Sequence, residues 1–490
     1  MKRTRCRSSG GDRYLCSSGN NEWSVLHFSI LSSPVSWSPF PIHFVNLYGR
    51  RDWPNLPSEL TEQIASRLLR YDVAEYLRLR AACKAWRECI CYSSDLDSRF
   101  RPRQWIMLSK GDGTRCRFLN LATGACVQID LPELSGHHIE SSTEGLLVLR
   151  EKTSDDIRLL NPLTRALTDL PPITAALRSV SPDWSEDWKT ACPSRIVYAG
   201  ISDETSPPTV ALFMRGHLWN IAYAKPGDQR WALVDDKGWR TFPNRRVISD
   251  GELLRYVWYL SAVTLRGRIY FATFQGNILK LKLHPRPRLV PVVNDQSSHM
   301  IWHCGILRHN VVSYLVPAND NHRSLLMVRY YSSLDHLSPD EQRRMKRRKR
   351  TTLLKLPGDR PGQYKWHQLE VFKVDLAGKK LIPVENMGHR AVFIGDVTCI
   401  SFSIQRFPSV YGNAVYLGMN SHCSIACGVC HLNDNRIEPR LEHVLEGGGK
   451  APLGLDKTLR GPERIVPLAR PCSLEEYLVC HVGFKYGIKD

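Results

Sequence analysis

The sequence has no uninterrupted apolar run of about 18 residues, the length a membrane-spanning helix needs. No transmembrane helix is therefore expected. It also lacks a phosphate-cradling G-x-x-x-x-G-K-[ST] loop, a G-x-S-x-G elbow and an H-E-x-x-H pair. These absences leave no catalytic constellation to build on. Acidic residues are few: 48 Asp and Glu stand against 67 Lys and Arg, a formal charge of +19. Such a field attracts nucleic acid, anionic membrane or acidic protein without choosing among them. The 15 cysteines scatter through apolar runs and show no disulfide framework. In a long chain without a clear secretory signal, they read as reduced intracellular thiols.

What is present is globular in composition, with 42% hydrophobic and 23% charged residues over 490 positions. That length suggests about two to four domains. Residues 1–50 stand apart. They are Ser-rich, their basic residues cluster at the start, and only Asp12 and Glu22 are acidic. The apolar patches between Trp23 and Tyr48 are broken by "SSPVSWSPFP", which no signal-peptide core tolerates. A disordered extension is expected, with an organelle transit peptide as the alternative.

"LPSELTEQIASRLLRYDVAEYLRLRAACKAWREC", Leu56 to Cys89, has helical periodicity. Pro57 suits a first turn, and Glu59 and Glu62 complement the positive end of the helix dipole. Leu60, Ile64 and Leu68 recur every four residues along one face. Asp72 can cap a second helix, with Glu75 completing a capping-box-like pair. Leu79, Cys83, Trp86 and Ile90 continue that helix's spacing, and Arg78, Arg80, Lys84 and Arg87 fill its other faces. Two helices in a unit of about 40 residues are marginal alone. Their apolar stripes must pack on the following domain or on another protein.

This segment resembles an F-box, in its Leu-Pro start, "ELTEQIASRL", the acidic residue opening the next helix, and "RAACKAWREC". Ala82 replaces the family's usual Val and Lys84 its usual Arg, while Cys83, Trp86 and Arg87 match. The resemblance implies binding to a Skp-type adaptor, which bridges to a cullin. The adaptor-facing residues it implies are Leu56, Pro57, Leu60, Ile64, Leu68, Leu77, Cys83 and Trp86. Which of them face the adaptor, and which hold the helices together, stays open at this point.

Beyond residue 104 the pattern changes to short strands and turns. "CRFLNLATGACVQIDLP" and "IRLLNPLTRALTDLPP" share one form: apolar run, Asn, turn, second run, Leu-Pro. Asn120 and Asn161 occupy the same place in each. "GHLWNIAYAKPGDQRWALVD", "GRIYFATFQGNILKLKLHP" and "LEVFKVDLAGKKLIPVE" repeat the hairpin signal with Gly-Asp, Gly-Asn and Ala-Gly turns. Hairpins repeating at roughly 40 to 50 residues suggest propeller blades. About six to eight units fit residues 104–485, of which five or six are legible. A paired β-sandwich is the alternative. "VFKVDLAGKKLIPVENMGHRAVFIGDVTCISFSIQRFPSVYGNAVYL", with "DSRFRPRQW" and "LNPLTR", resembles a plant-specific domain of unknown function. That domain commonly follows an F-box and is often kelch-like or propeller-like.

Two clusters carry possible chemistry. Cys423, Cys427, Cys430 and His431 have spacings seen in iron–sulfur, haem-attachment and zinc sites. Adjacent Cys430 and His431 would point to opposite sides of a strand. A buried strand with small cysteines is expected instead, with no metal. "RRMKRRKR", containing Arg343, Arg344, Lys346, Arg347, Arg348, Lys349 and Arg350, reads as an exposed loop between blades and a nuclear-localisation candidate. It has no interleaved aromatics for base stacking. His137 and His138, in a polar stretch beside Gly136, are expected in a loop.

The expected architecture is an extension over 1–50, a small all-α F-box over 51–95, and a large all-β repeat domain over 104–485, propeller-like, with a basic loop at 339–352. The expected role is a non-catalytic substrate-recognition subunit of an SCF-type (Skp–cullin–F-box) E3 ubiquitin ligase. It would bind the adaptor, cullin through it, and an unidentified target protein. No cofactor, nucleic acid or membrane is expected. The rival is a basic nuclear nucleic-acid-binding or regulatory protein without a ligase role. Nucleus, cytoplasm or both are the expected locations, with an organelle as the alternative.

Overall fold

The structure is a computed structural model. It describes residues 53–90, 96–110, 114–176, 196–214, 220–234, 261–273, 276–294, 309–318, 324–333, 336–346, 351–354, 361–395, 397–418, 427–434, 437–441, 443–445, 465–467, 473–483 and 488–489. The extension over 1–50 lies outside these, apart from the two-residue strand pair Arg5–Cys6 and Arg13–Tyr14.

Three helices open the described chain: α1 (Ser58–Tyr71), α2 (Val73–Ala82) and α3 (Lys84–Cys89). Two were expected. The second breaks at Cys83, whose backbone is extended and whose Sγ accepts from the Trp86 N–H at 3.4 Å. Asp72 caps α2 as anticipated, accepting from the Ala74 N–H at 3.0 Å. The reciprocal half of the capping box does not form. The Asp72 N–H already donates to the Leu68 carbonyl at 2.7 Å, closing α1, and Glu75 pairs with Arg78 instead. Ala65, Tyr76, Ile90 and Phe100 form the core of this unit.

The rest is a six-bladed propeller. Blade 1 holds strands 105–110, 115–120 and 126–130, joined by the C-terminal strand 488–489. Blades 2 to 4 are four-stranded antiparallel meanders over 137–172, 196–233 and 261–293. Blade 5 runs from 309 to 383 and blade 6 from 390 to 441. Each predicted hairpin is a strand pair within one blade. The repeat count settles at six because every interface between neighbouring blades has its own apolar cluster. Phe118 meets Leu149 between blades 1 and 2, and Val148 meets Leu212 between blades 2 and 3. Phe213 meets Phe271, Tyr270 meets Met327, and Val328 meets Val392 at the next three. A closed ring of radial sheets replaces the paired-sandwich alternative.

The ring closes through an element that the sequence reading did not anticipate. Helix α4 (Leu474–Gly483) buries Leu474, Leu478, Val479 and Val482 between blades 6 and 1. Its Glu475 accepts from the Tyr416 hydroxyl at 3.0 Å, and His481 Nδ1 lies 2.8 Å from the Met107 carbonyl.

The two ends of the propeller differ. In blade 2, the Glu144–Gly145 and Asn161–Ala166 turns share one end, next to the helical unit. The chain enters and leaves the blade at the other end, where Lys152 N–H donates to Gly136 O and Ile173 N–H to Asp155 O. His137 and His138, expected in a loop, begin strand His137–Thr143 there, because the left-handed Gly136 (φ +78°) completes the turn immediately before them. In blades 3 and 4 the first hairpin turns stay at the helical end, linked by Asp203 N–H to Gly267 O.

Candidate functional site

The eight residues implied for adaptor binding separate into two groups. Leu60 and Ile64 lie on the outer face of α1 at 46% and 39% exposure, with Pro57 also exposed and Leu56 and Leu68 half-buried. One residue further round, Thr61, Ala65 and Leu69 turn inward. The stripe noted in the sequence is therefore the outward one. Leu77 packs into both the helical core and the blade 1–2 cluster. Cys83 caps α3. Trp86 packs on the helical core, and its Nε1–H donates to the Trp53 carbonyl at 3.0 Å. That bond holds the 3-10 turn Trp53–Asn55 beside α3, with Trp53 half-exposed. Trp53 is a surface residue the sequence reading missed. Its signal was an aromatic immediately before the Pro-Asn-Leu-Pro entry.

The inner face of the unit is fused to the propeller. Val73, Leu69, Ala74 and Leu77 join Trp105 and Phe118 of blade 1 in one cluster. At the α1–α2 junction, the Asp72 carboxylate is buried and accepts three bonds. They come from the Ala74 N–H, the Trp105 indole N–H at 2.8 Å and the Asn120 side-chain amide at 2.9 Å. Burial pushes the Asp72 carboxyl above its ordinary value, opposed by the donors from Trp105 and Ala74.

The repeat asparagines explain themselves here. Asn120 Oδ1 accepts from the N–H groups of Ala122 and Thr123, and Asn161 Oδ1 from those of Leu163 and Thr164. Each closes its own turn with its oxygen. Each then spends its NH2 on the N-terminal unit: Asn120 on Asp72, and Asn161 on the Phe100 carbonyl at 2.9 Å. Phe100 in turn packs edge-on against Tyr76 at 5.2 Å.

A strap follows, built from "DSRFRPRQW". Arg101 is buried and reaches Glu144 of blade 2 at 2.6 Å and Asp203 of blade 3 at 2.6 Å. Arg103 adds a second pair to Glu144 at 3.0 Å. Burial pushes Glu144 up, but Arg103 and Arg101 more than offset this and hold it below the usual carboxylate range. Helical unit, strap and blades 1 to 3 are thus joined by apolar packing, hydrogen bonds and buried ion pairs. This arrangement can present one apolar helical face at a fixed orientation to the ring.

The other candidates fare differently. Cys427–His431 is a strand, as expected. Cys430 is buried, and burial, helped by Asp434, pushes its thiol up to about 12. His431 is half-buried against the Tyr411 ring. Cys423 lies outside the described residues, and among those described no group of three or more side chains is placed to hold a metal. The basic block is not a loop between blades. It starts inside helix α5, which in chain order precedes α4 and spans Pro339–Lys346, within blade 5. Ser338 and Glu341 form the capping box that starts this helix. Arg343 and Lys346 are exposed, while Arg347, Arg348, Lys349 and Arg350 lie outside the described residues.

Residues 53–96 match the F-box domain, and residues 96–434 match the KIB1-4 beta-propeller. An F-box protein of Arabidopsis thaliana is 31% identical over 118 residues, which make up 24% of this chain and 28% of that protein. A second F-box protein of the same plant is 28% identical over 128 residues, 26% of this chain and 87% of its own length. The match to the first relative thus spans under a third of its length. The propeller match covers most of the chain, its boundary with the F-box falls at the strap, and its hairpin repeats are the observed blades. The chain therefore belongs to the KIB1-4 beta-propeller family and carries an F-box ahead of its propeller.

Proposed function

We propose that this protein is a substrate-recognition subunit of an SCF-type ubiquitin ligase. Its F-box docks a Skp-type adaptor, the adaptor bridges to cullin, and the propeller holds a target protein. The observation that carries the reading is the exposed Leu60–Ile64 stripe on a unit whose opposite face is already filled by its own propeller. Apolar side chains aligned on a helix and left uncovered call for a partner helix. Burying a leucine or isoleucine there contributes about 1.5–3 kcal/mol each.

The mechanism is tethering. A target held on the propeller and a ubiquitin-charged enzyme held through the adaptor become one assembly, which raises the effective concentration of target lysines. The chain then needs to bind and orient, with bond-making done elsewhere in the assembly.

The test is capture of a plant Skp-type adaptor by the full chain. Leu60→Asp with Ile64→Asp should weaken binding at least about 100-fold, as loss of two anchor residues does. Both positions are exposed, so the unfolding midpoint should hold. Undiminished binding by this variant, or no binding by the parent chain, overturns the reading.

A further inference from the structure

The exposed row of α1 does not stop at Ile64. Leu60, Ile64, Arg67 and Tyr71 follow one another at steps of four, three and four residues. In a helix of 3.6 residues per turn they fall within about 60° of one another, along about 16 Å of its length. Arg67 is exposed. Tyr71 ends the row at 67% exposure, more than any other large apolar side chain among the described residues. The last residue of a helix ordinarily frays, which leaves its side chain unordered. Tyr71 is held instead. The next residue, Asp72, closes α1 through its N–H on the Leu68 carbonyl at 2.7 Å, and its carboxylate is fixed by Ala74, Trp105 and Asn120. Val73 then packs into the blade 1 cluster. The backbone of Tyr71 is thus pinned to the propeller while its side chain stays outside. An aromatic presented in this way loses little conformational entropy when a partner covers it.

Arg67 differs from other exposed cations of the unit. Arg78 pairs with Glu75 and Lys84 with Glu88 inside their own helices. The positions three and four residues from Arg67 hold Gln63, Ile64, Arg70 and Tyr71, none of them acidic, so no intrahelical pair neutralises it. The row therefore ends in a preordered aromatic ring beside a guanidinium without an intrahelical partner. Tyr and Arg are the residue types enriched among the anchors of protein interfaces.

We propose that Arg67 and Tyr71 complete the adaptor-binding face of α1, with the Tyr71 ring as its terminal anchor and the Arg67 guanidinium as the partner of an acidic side chain on the adaptor. The proposal deepens the receptor reading above and rests on it. Continuity selects the occupant. The row is one face with Leu60 and Ile64, it lies within the F-box match, and the propeller fills the opposite face of the unit. Area points the same way. Two aliphatic side chains cannot supply the roughly 800 Å² that each side of a stable interface buries, whereas one aromatic residue adds about 150–250 Å². A carboxylate can take two parallel bonds from one guanidinium, which fixes the register of the adaptor along the row.

The test measures the affinity of the full chain for a purified plant Skp-type adaptor by biolayer interferometry. Tyr71→Ala should weaken binding at least about tenfold, while Tyr71→Phe should stay within about threefold, because the ring carries the contact. Arg67→Glu should weaken binding at least about tenfold, since it places like charges opposite each other. Lys152→Glu, exposed at the end of the ring away from the F-box, changes the net charge equally and should leave binding within about twofold. All three positions are exposed, so unfolding midpoints should match the parent. Should Tyr71→Ala unfold, Tyr71→Lys, which suits a helix C-terminus, must still weaken binding. Binding by Tyr71→Ala or Arg67→Glu within about twofold of the parent, with Leu60→Asp, Ile64→Asp still defective, overturns the proposal and leaves the receptor reading standing. Equal weakening by Lys152→Glu assigns the charge effect to the overall field and overturns it too. A parent dimer that Tyr71→Ala dissociates, with adaptor binding unchanged, gives the row to a second copy of the chain and also overturns it. No binding by the parent overturns both readings.

Discussion

Replacing Asp72 tests the joint between F-box and propeller at its most loaded atom pair. Asp72→Ala removes the N-cap of α2, worth about 0.5–2 kcal/mol. It also leaves the Trp105 indole N–H and the Asn120 amide without an acceptor. Trp105 and Asn120 are 2% and 1% exposed, so water does not replace the carboxylate without opening the joint. Each orphaned donor costs about 1–3 kcal/mol. Because the three losses share one site they do not add fully, and a total of about 3–5 kcal/mol is expected. Asp72→Asn is the sharper probe. It keeps the shape but puts an NH2 where a second acceptor stood, facing either Asn120 or the Ala74 and Trp105 donors. Asn120 cannot flip to compensate, because its oxygen is held by Ala122 and Thr123. A loss of about 1–3 kcal/mol follows. Denaturant unfolding gives both numbers. Hydrogen exchange at amides of α1 and α2 locates the loss, which should exceed any change in blades 4 and 5. A cost below about 1 kcal/mol for Asp72→Ala would refute the coupling.

Two further outcomes follow from other parts of the ring. Burial pushes His481 and His367 down to about 4, so both are neutral when folded, while the unfolded chain protonates them near their ordinary value of 6.5. Their stabilisation is complete above about pH 6.5 and is lost as pH falls toward 4, at about 3 kcal/mol each; Glu144, with its depressed pKa, adds a loss only below its ordinary 4.5. A denaturant midpoint that stays flat between about pH 7 and 5 would contradict this. Gly145 (φ +82°) faces the Pro102 backbone so closely that an added Cβ would lie 2.1 Å from its carbonyl oxygen, whereas Gly136 (φ +78°) opens on clear space. Gly145→Ala should therefore cost at least about 2 kcal/mol more than Gly136→Ala, and equal unfolding midpoints would show that the strap does not press on blade 2.

Much of the fold was legible because it rests on local signals. The Leu60–Ile64–Leu68 stripe, the Asp72 cap and the turns after Asn120 and Asn161 are set by residues within a few positions of one another. The failures are non-local or hang on a single competing bond. Glu75 could not complete its capping box because Leu68 had taken the Asp72 N–H. Helix α4 is apolar enough to pass for a core strand, and only the gap between blades 6 and 1 gives it a place. The outer strand of blade 5 is split, because two segments far apart in sequence, 351–354 and 380–383, share one partner strand. Of the face proposed to bind the adaptor, spacing alone placed Leu60 and Ile64 together. It could not tell them from Leu77, which lies on the face that the propeller fills.

That division gives a physical reason for carrying a small helical unit on a large β ring. A unit of about 40 residues has too little interior to be stable alone. If it spent its whole apolar surface on its own folding, nothing would remain for a partner. Here the propeller supplies the missing core through Trp105, Phe118 and the two repeat asparagines. The outer stripe of α1 is then released from structural duty and stays exposed while the unit remains folded. Orientation is fixed as well, because Asp72 bonds to blade 1, Phe100 to blade 2 and Arg101 to blades 2 and 3. Rotation of the helices about the Asp72 bonds would strain the Tyr76–Phe100 packing and, through it, the bond from Asn161.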